Sequence, residues 1–282
     1  MNFEQMVAKL EQFWEGEGCT RLFPYDQEVG AGTLSPHTFL RVLGRKPWRA
    51  VYVQPSRRPA DGRYGENPNR LYMHHQLQVV IKPPPSDIQD TYLRSLYVLG
   101  LKPSEHDIRF VEDNWETPVL GAAGVGWEVW LDGMEVTQFT YFQSAGGKEL
   151  PVVTVEITYG LERLAMFIQS KNNVYELEWH EGVSYGNLRQ QAEKENSMYS
   201  FDSADVESLT TLFDLFEKES KRMIEMKLIT PAYEYLLHCS HTFNLLDARG
   251  TVGVSQRMAY LGRVRRLAYG CANLYLENEE HE

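Results

Sequence analysis

The chain is poor in cysteine, with only Cys19, Cys239 and Cys271 among 282 residues, far apart and odd in number. That usage predicts reduced thiols and argues against a disulfide framework or a zinc cluster. No apolar run approaches the roughly 18 residues that a membrane-spanning helix requires. The N-terminal M-N-F-E-Q-M-V-A-K-L carries an acidic residue and reads as an amphipathic helix start without a signal-peptide h-region. Basic residues are also in short supply, 28 Lys and Arg against 39 Asp and Glu, for a net charge of −11. A surface that grips nucleic acid is expected to be basic, because neutralising phosphate drives that affinity. Any handling of RNA therefore falls to a local patch or to a partner, and only 41–70 and 257–266 are arginine-rich. These absences predict a soluble cytoplasmic protein with no membrane and no DNA partner.

What is present is a large apolar and aromatic content, 43% hydrophobic with 16 Tyr, 12 Phe and 6 Trp, enough for one big domain or two smaller ones. Residues 2–14 read as a helix, and 28–44 as a glycine-rich loop leading into a short apolar segment. A strand ending in Arg57 and Arg58, a polar loop over 59–70 and a returning strand over 71–82 predict an antiparallel hairpin with a functional tip. A helix is expected over 87–99, capped by Ser86 and Asp87. Strands are expected over 107–112, 126–131, 134–143 and 152–158, with Asp132-Gly133 as a hairpin turn. Sequential strands with tight turns mean an antiparallel sheet. Residues 172–200 look polar and irregular. From 203 onward the pattern is helical, with one stripe through Val206, Leu209, Leu212, Phe213 and Phe216 and another through Met258, Leu261, Val264, Leu267, Ala268 and Cys271. The fold class expected is α+β, an antiparallel sheet flanked by helices over 1–195 followed by an all-helical domain over 196–282. The end, E-N-E-E-H-E, reads as a frayed, solvated tail.

Residues 151–170, P-V-V-T-V-E-I-T-Y-G-L-E-R-L-A-M-F-I-Q-S, form the most informative segment. Val153, Val155 and Ile157 alternate with Thr154, Glu156 and Thr158, one strand face apolar and the other polar. Gly160 breaks the strand, and Leu161, Leu164, Ala165 and Ile168 follow at helical spacing. Glu156, Glu162 and Arg163 thus gather at a helix start, where backbone N–H groups favour an anion. The bland reading is an amphipathic helix with a surface salt bridge. In the hairpin, Arg57, Arg58, Arg63 and Arg70 suit a polyanion, since a guanidinium offers phosphate two parallel hydrogen bonds. The bland rival is a solvated charged loop. His74 and His75 are adjacent on a strand and cannot chelate one metal. Glu128 and Glu135, on β-patterned segments, are candidates to hold Mg²⁺ against phosphates. Glu135 and Gln138 differ in parity and share a face only if a β-bulge intervenes.

Gly-Leu-Glu-Arg at a strand-helix junction resembles motif 3 of class II aminoacyl-tRNA synthetases, and the arginine-bearing hairpin resembles motif 2. Ser56-Arg57-Arg58 replaces the usual aromatic-Arg-x-Glu start and leaves open which arginine grips the α-phosphate. The blocks Glu-Asp-Asn-Trp, Gly-Trp-Glu-Val-Trp, Gly-Met-Glu-Val-Thr-Gln-Phe-Thr-Tyr-Phe-Gln and Glu-Ile-Thr-Tyr-Gly-Leu-Glu-Arg-Leu, with Ser-His-Thr-Phe-Asn-Leu-Leu-Asp-Ala-Arg-Gly within 231–250, resemble the bacterial glycyl-tRNA synthetase alpha subunits over essentially the whole chain.

The resemblance implies activation of glycine by ATP to glycyl-adenylate and, with a β subunit, transfer of glycine to tRNA(Gly). It implies Arg57 or Arg58 on the α-phosphate and Arg163 on the γ-phosphate and near adenine, with Arg70, Gln78, Gly160 and Glu162 completing an ATP site. It implies Glu156 for the glycine ammonium, with Thr158, Gln76 and Trp115 around it, Trp115 filling the space beside Cα. ATP and Mg²⁺ are the implied cofactors, with no zinc. Pro36 falls in the region resembling the dimer-forming motif 1, so an alpha homodimer within an α2β2 assembly is implied, with β carrying most tRNA contacts. Residues 203–282 are then expected to pack the dimer or dock β rather than bind RNA. Two rivals remain, a non-enzymatic paralogue and another adenylate-forming ligase. The first is expected to have lost Arg163, Glu156 or the arginine loop, and the second does not account for the helical block.

Overall fold

The computed structural model describes residues 1–281, with side chains through Glu279. Helix α1 (Phe3–Gly16) opens the chain under an Asn2–Gln5 capping box, and β1 (Thr20–Arg21) follows. The glycine-rich loop makes one 3₁₀ turn before α2 (Pro36–Val42), which Ser35 caps with Pro36 at its first position. The hairpin is β2 (Trp48–Arg57) and β3 (Met73–Lys82), and α3 (Ile88–Tyr97) comes next. A meander of β4 (Ile108–Thr117), β5 (Ala122–Leu131), β6 (Met134–Ala145) and β7 (Lys148–Gly160) runs straight into α4 (Leu161–Ile168). A small hairpin of β8 (Glu178–His180) and β9 (Val183–Ser184) precedes α5 (Tyr185–Met198). Three long helices close the chain, α6 (Val206–Glu225), α7 (Ile229–Ala248) and α8 (Val254–His281). Among the described residues no helix is long and apolar enough to cross a membrane.

The main sheet has seven strands in the order β1-β2-β3-β7-β6-β5-β4, antiparallel throughout except for the short parallel β1–β2 pair. Alternation along the strands sorts its side chains into two faces. Val51, Leu77, Val79, Ile81, Val129, Phe139, Val155, Ile157 and Tyr159 pack against α1, α3 and α4 in one core. The opposite face turns Tyr52, Val80 and Phe142 toward α2, α7 and α8 in a second core. Those helices cover only part of it. Where they stop, the face is polar and concave.

The α+β class and the antiparallel order agree with the sequence reading, while several boundaries differ. The meander strands run longer than expected, because pairing continues into the polar end Glu112–Thr117 and the small-residue end Ala122–Val125. The stretch read as irregular holds α5, whose helical pattern is hidden because only Tyr185, Glu193 and Ser197 are buried. Asp87 occupies the cap position of α3 without a side-chain cap bond. In α6, Leu209 and Phe213 are buried while Leu212 is exposed, and in α8 Val264, Leu267, Ala268 and Cys271 are buried while Met258 is exposed. The acidic end is helical through His281 rather than frayed, and Glu279 accepts a hydrogen bond from the Arg45 backbone. Glu282 and the side chains of Glu280 and His281 lie outside the described residues.

Candidate active site

The uncovered part of the sheet forms the floor of a cleft of about 600 Å³. Its floor comes from β3, β6 and β7, one end from α4, and its walls from the 30–34 loop and the loop between β2 and β3. Gln76, Glu135, Gln138, Glu156, Thr158 and Gly160 reach it from the sheet, Glu162 and Arg163 from α4, and Arg58 and Arg70 from the hairpin loop. Trp115 closes it from β4, its ring edge-on to Phe142 at 5.3 Å.

The parity problem between Glu135 and Gln138 is solved by a β-bulge. Register shifts between Val129–Thr137 and Trp130–Glu135, so β6 carries one extra residue there. Val136 and Thr137 both turn inward, 2% and 1% exposed, and leave Glu135 and Gln138 on the cleft side. Glu128 pairs across from Gln138, but its carboxylate accepts the Trp130 indole N–H at 2.9 Å and does not line the cleft.

The two neighbouring arginines part company. Arg58 lines the cleft, donates from Nε to the Gly30 carbonyl at 3.0 Å, and feels the charges of Asp61, Arg163 and Glu135. Burial lowers its pKa from the ordinary arginine value, as expected for a desolvated cation. Arg57 points elsewhere and pairs with Glu28 at 3.4 Å, half exposed. At the other end, Arg163 Nη1 donates to the Glu135 carbonyl at 2.8 Å and its carboxylate at 3.0 Å. Arg70 is held by Asp61 at 2.7 Å.

The carboxylates differ as sharply. Glu156 is 2% exposed, and among the described residues its one hydrogen-bond donor is the Thr33 hydroxyl, at 2.8 and 2.9 Å from its two oxygens. Burial pushes its pKa up to about 7, the Thr33 bond only partly opposing. Glu162, equally buried, accepts from the His75 backbone N–H, His75 Nδ1 at 2.7 Å and the Tyr185 hydroxyl at 2.9 Å. Burial raises its pKa, but the His75 hydrogen bonds and charges outweigh it and hold the group below its ordinary value. His75 thus serves Glu162, while His74 faces the cleft with Nε2 buried and unpartnered. Its pKa is lowered to about 4, first by burial and then by Arg58. The histidines do point opposite ways. Among the described residues no group of three or more His, Cys, Asp or Glu could hold a metal alone.

Gln78 and Gln76 anchor the wall. Gln76 Oε1 accepts from the Gly32 backbone and the Ser56 hydroxyl, and Gln78 Oε1 accepts from Thr158, leaving Gln78 Nε2 buried without a partner. A Cβ at Gly32 would lie 1.9 Å from that nitrogen, so only glycine fits there. The 30–34 loop is tied from behind by α7, where the Tyr233 hydroxyl donates to the Leu34 carbonyl at 2.7 Å. Thr33 is the contact the sequence reading missed. Its only signal was its place in the G-A-G-T-L-S-P run. Glu193 was missed as well; its buried carboxylate accepts from the Tyr72 and Met73 backbones and fixes the return of the arginine loop.

The arginines of 257–266 are mostly occupied within the chain. Arg263 bonds Glu217 and Asp214 and lies 4.5 Å over the Phe213 ring, Arg257 pairs with Asp247, and Arg265 donates to the Pro118 carbonyl.

A family profile described as "Glycyl-tRNA synthetase alpha subunit" matches residues 3–280. The "Glycine--tRNA ligase alpha subunit" of Coprothermobacter proteolyticus is 56% identical over 282 residues, all of this chain and 97% of that protein. Among solved structures, a pyrrolysyl-tRNA synthetase from Desulfitobacterium hafniense aligns with TM-score 0.46 at 15% identity, over 65% of this chain and 76% of that one.

Proposed function

Because the chain belongs to the family of glycyl-tRNA synthetase alpha subunits, the catalytic subunits of a class II glycine-tRNA ligase, we propose that its cleft binds ATP along the Arg58–Arg163 line and glycine against Glu156. The observation that carries this reading is Glu156, a buried carboxylate that has, among the described residues, one hydroxyl donor and no cation beside it. An ammonium group supplies the missing charge, and in this reading the Trp115 indole at the cleft wall takes the space beside Cα.

The glycine carboxylate attacks the α-phosphorus, the bond to the bridging oxygen breaks, and pyrophosphate leaves. No protein nucleophile is needed, so catalysis rests on positioning and on neutralising charge at phosphorus. Arg58 is the α-phosphate arginine in this reading, because it faces the cleft and Arg57 does not. Arg163 takes the γ-phosphate end, exchanging Glu135 for substrate oxygens, and Arg70 supports it. Glu162 acts on ATP indirectly, by holding the start of α4 through His75 and Tyr185. Gln76, Thr158 and Trp115 frame glycine, Gln78 holds the Thr158 hydroxyl from behind the cleft lining, and Gly160 leaves the backbone open to approach.

Class II synthetases draw on ATP and a divalent cation. Mg²⁺ asks for one or two carboxylates plus phosphate oxygens, and Glu135, beside Arg163 at the cleft wall, fits that demand. Glu128, bonded to Trp130, fits it less well. When bound, the ion neutralises the β- and γ-phosphates and the departing pyrophosphate.

As an alpha subunit the chain has a β-subunit partner and a tRNA substrate. We place it in the cytoplasm, in an α2β2 assembly built on an alpha homodimer with motif 1 around Pro36 at the interface. Glycine-dependent ATP–pyrophosphate exchange tests the activity. Serine and alanine should be at least ~10²-fold poorer, because in this reading their side chains collide with the Trp115 indole beside Cα. Equal exchange with alanine would remove the assignment to glycine.

A further inference from the structure

The Thr33 hydroxyl reaches both oxygens of Glu156, at 2.8 and 2.9 Å, so it stands near the midline of the carboxylate. Threonine has one heavy-atom side-chain torsion, stiffened by β-branching, and its hydroxyl therefore goes where its backbone goes. That backbone is the single 3₁₀ turn Gly32–Leu34, and two buried tyrosines hold the carbonyls on either side of Thr33. Tyr52, from β2, donates to the Gly32 carbonyl at 3.2 Å and pairs with the Thr38 hydroxyl at 2.6 Å. Tyr233, from α7, donates to the Leu34 carbonyl at 2.7 Å, and its ring stacks on Phe39 of α2 with centroids 5.4 Å apart. Tyr52 is 0% and Tyr233 1% exposed, and burial raises the pKa of both, so the hydroxyls stay protonated donors. Helix α7 is itself fixed at this point. Ser220 of α6 donates to the Ala232 carbonyl at 2.8 Å, and Glu234 accepts from Tyr25 at 3.0 Å.

We infer that Tyr233 and Tyr52 are positioning residues for amino-acid binding: through the Leu34 and Gly32 carbonyls they set the Thr33 hydroxyl that orients Glu156, and Tyr233 thereby makes the ammonium site depend on where α7 lies. The inference rests on the functional reading above, in which Glu156 takes the glycine ammonium. Neither tyrosine lines the cleft. Between the Tyr233 hydroxyl and the Glu156 carboxylate stand the Leu34 backbone and the Thr33 side chain. The effect falls on one substrate, because the arginines assigned to ATP are held by other partners. Arg58 is bonded to the Gly30 carbonyl, ahead of the turn, Arg70 to Asp61 and Arg163 to Glu135. Glycine offers only an ammonium and a carboxylate to grip, so no side-chain contact offsets the loss when Glu156 turns out of line. The helical region then shapes amino-acid recognition, beyond the packing and docking expected of it from sequence.

The test is glycine-dependent pyrophosphate exchange by the alpha subunit assembled with its β partner. Tyr233→Phe deletes one hydroxyl and should raise glycine KM by ~3–10-fold, the scale of one neutral hydrogen bond, with ATP KM within about twofold. Thr33→Val keeps the shape and removes the donor to Glu156. It should raise glycine KM by ~10-fold or more, since that bond is made to a charged group. The double variant should be no worse than Thr33→Val alone, because Tyr233 acts through Thr33. A brace that only stabilises the fold would lower Tm with glycine KM unmoved, or multiply its loss with that of Thr33→Val. Either result, or an equal rise in ATP KM, overturns the inference. If Tyr233→Phe fails to fold, Tyr52→Phe carries the same three expectations. Absence of glycine-dependent exchange in the unmutated complex, or a Glu156→Gln variant whose ATP KM rises in place of its glycine KM, would instead strike the functional reading.

Discussion

The two faces of the seven-stranded sheet come from the same strands and are put to opposite uses. On the face under α1, α3 and α4, the buried polar atoms of Trp14, Tyr92, Ser95, Thr137 and Tyr159 satisfy one another. Tyr159 accepts from Trp14 and shares a hydrogen bond with Ser95, and Tyr92 donates to Thr137. On the other face, one residue along each strand, Glu156 has among the described residues a single hydroxyl donor, and His74 Nε2 and Gln78 Nε2 have no partner. Leaving a buried polar group unpaired costs about 1–3 kcal/mol, so stability alone does not explain such a face, whereas a substrate does. Glu156 and Glu162 make the same point six residues apart. Both are buried, but only Glu162 is fully served. Burial does not make a site; an unmet demand does.

The contrast is tested most severely at Arg57 and Arg58. Arg58→Ala should lower the rate of glycine-dependent pyrophosphate exchange by ~10²–10³-fold, the scale for losing one preorganised donor to developing charge. Arg57→Ala removes an exposed ion pair worth at most about 1 kcal/mol, and exchange should stay within ~5-fold. A reversal of that order would place the α-phosphate with Arg57.

Glu156→Gln comes next. It keeps the shape and deletes the charge that pairs with the ammonium, a loss of about 2–5 kcal/mol, so glycine KM should rise by at least ~30-fold with ATP KM little changed. Should ATP KM climb instead, Glu156 belongs to the nucleotide. The same variant should be more stable without substrate. The folded carboxyl titrates near 7 against an ordinary 4.5, so its favourable contribution is complete below about 4.5 and is lost as pH rises to about 7. Removing the titrating group should raise the Tm of the free protein at pH 8, by a gain on the order of 1–3 kcal/mol.

The pH profile sharpens this further. Glycine binding needs the ionised carboxylate, so glycine KM should climb by up to about tenfold per unit as pH falls below 7. The Glu156→Gln variant should show a flat profile over that range, and a slope that persists in the variant would assign the titration to another group.

The smallest effect is expected on the closed side of the comparison. Glu162→Gln leaves three donors facing a neutral amide, and unfolding should become easier by about 1–3 kcal/mol, measured in urea, with glycine KM unmoved. A normal midpoint joined to a large rise in ATP KM would make Glu162 a direct nucleotide contact rather than the anchor of α4.

Much of the site was legible before any coordinates. The alternation through Val153–Thr158 placed Glu156 on a polar strand face, and Gly160 marked the turn into α4. The arginine pair was legible as a pair only, because which neighbour faces the cleft depends on how β2 ends against the Tyr72 carbonyl, a tertiary contact. Thr33, Glu193 and Tyr233 were not legible. Each acts on residues between 120 and 199 positions away, and a polar side chain in a loop or on a helix carries no periodic signal of such a partner.

Local chemistry by itself determined the class of the fold, the strand-glycine-helix junction and the types of side chain gathered there, because alternation, turn residues and helix starts act over a few residues. Tertiary structure alone decided which of them meet. The bulge that turns Glu135 and Gln138 to one side is a property of strand pairing. The isolation of Glu156 and the saturation of Glu162 follow from what packs around each, since desolvation and hydrogen bonding depend on every neighbour in space and not on those in sequence.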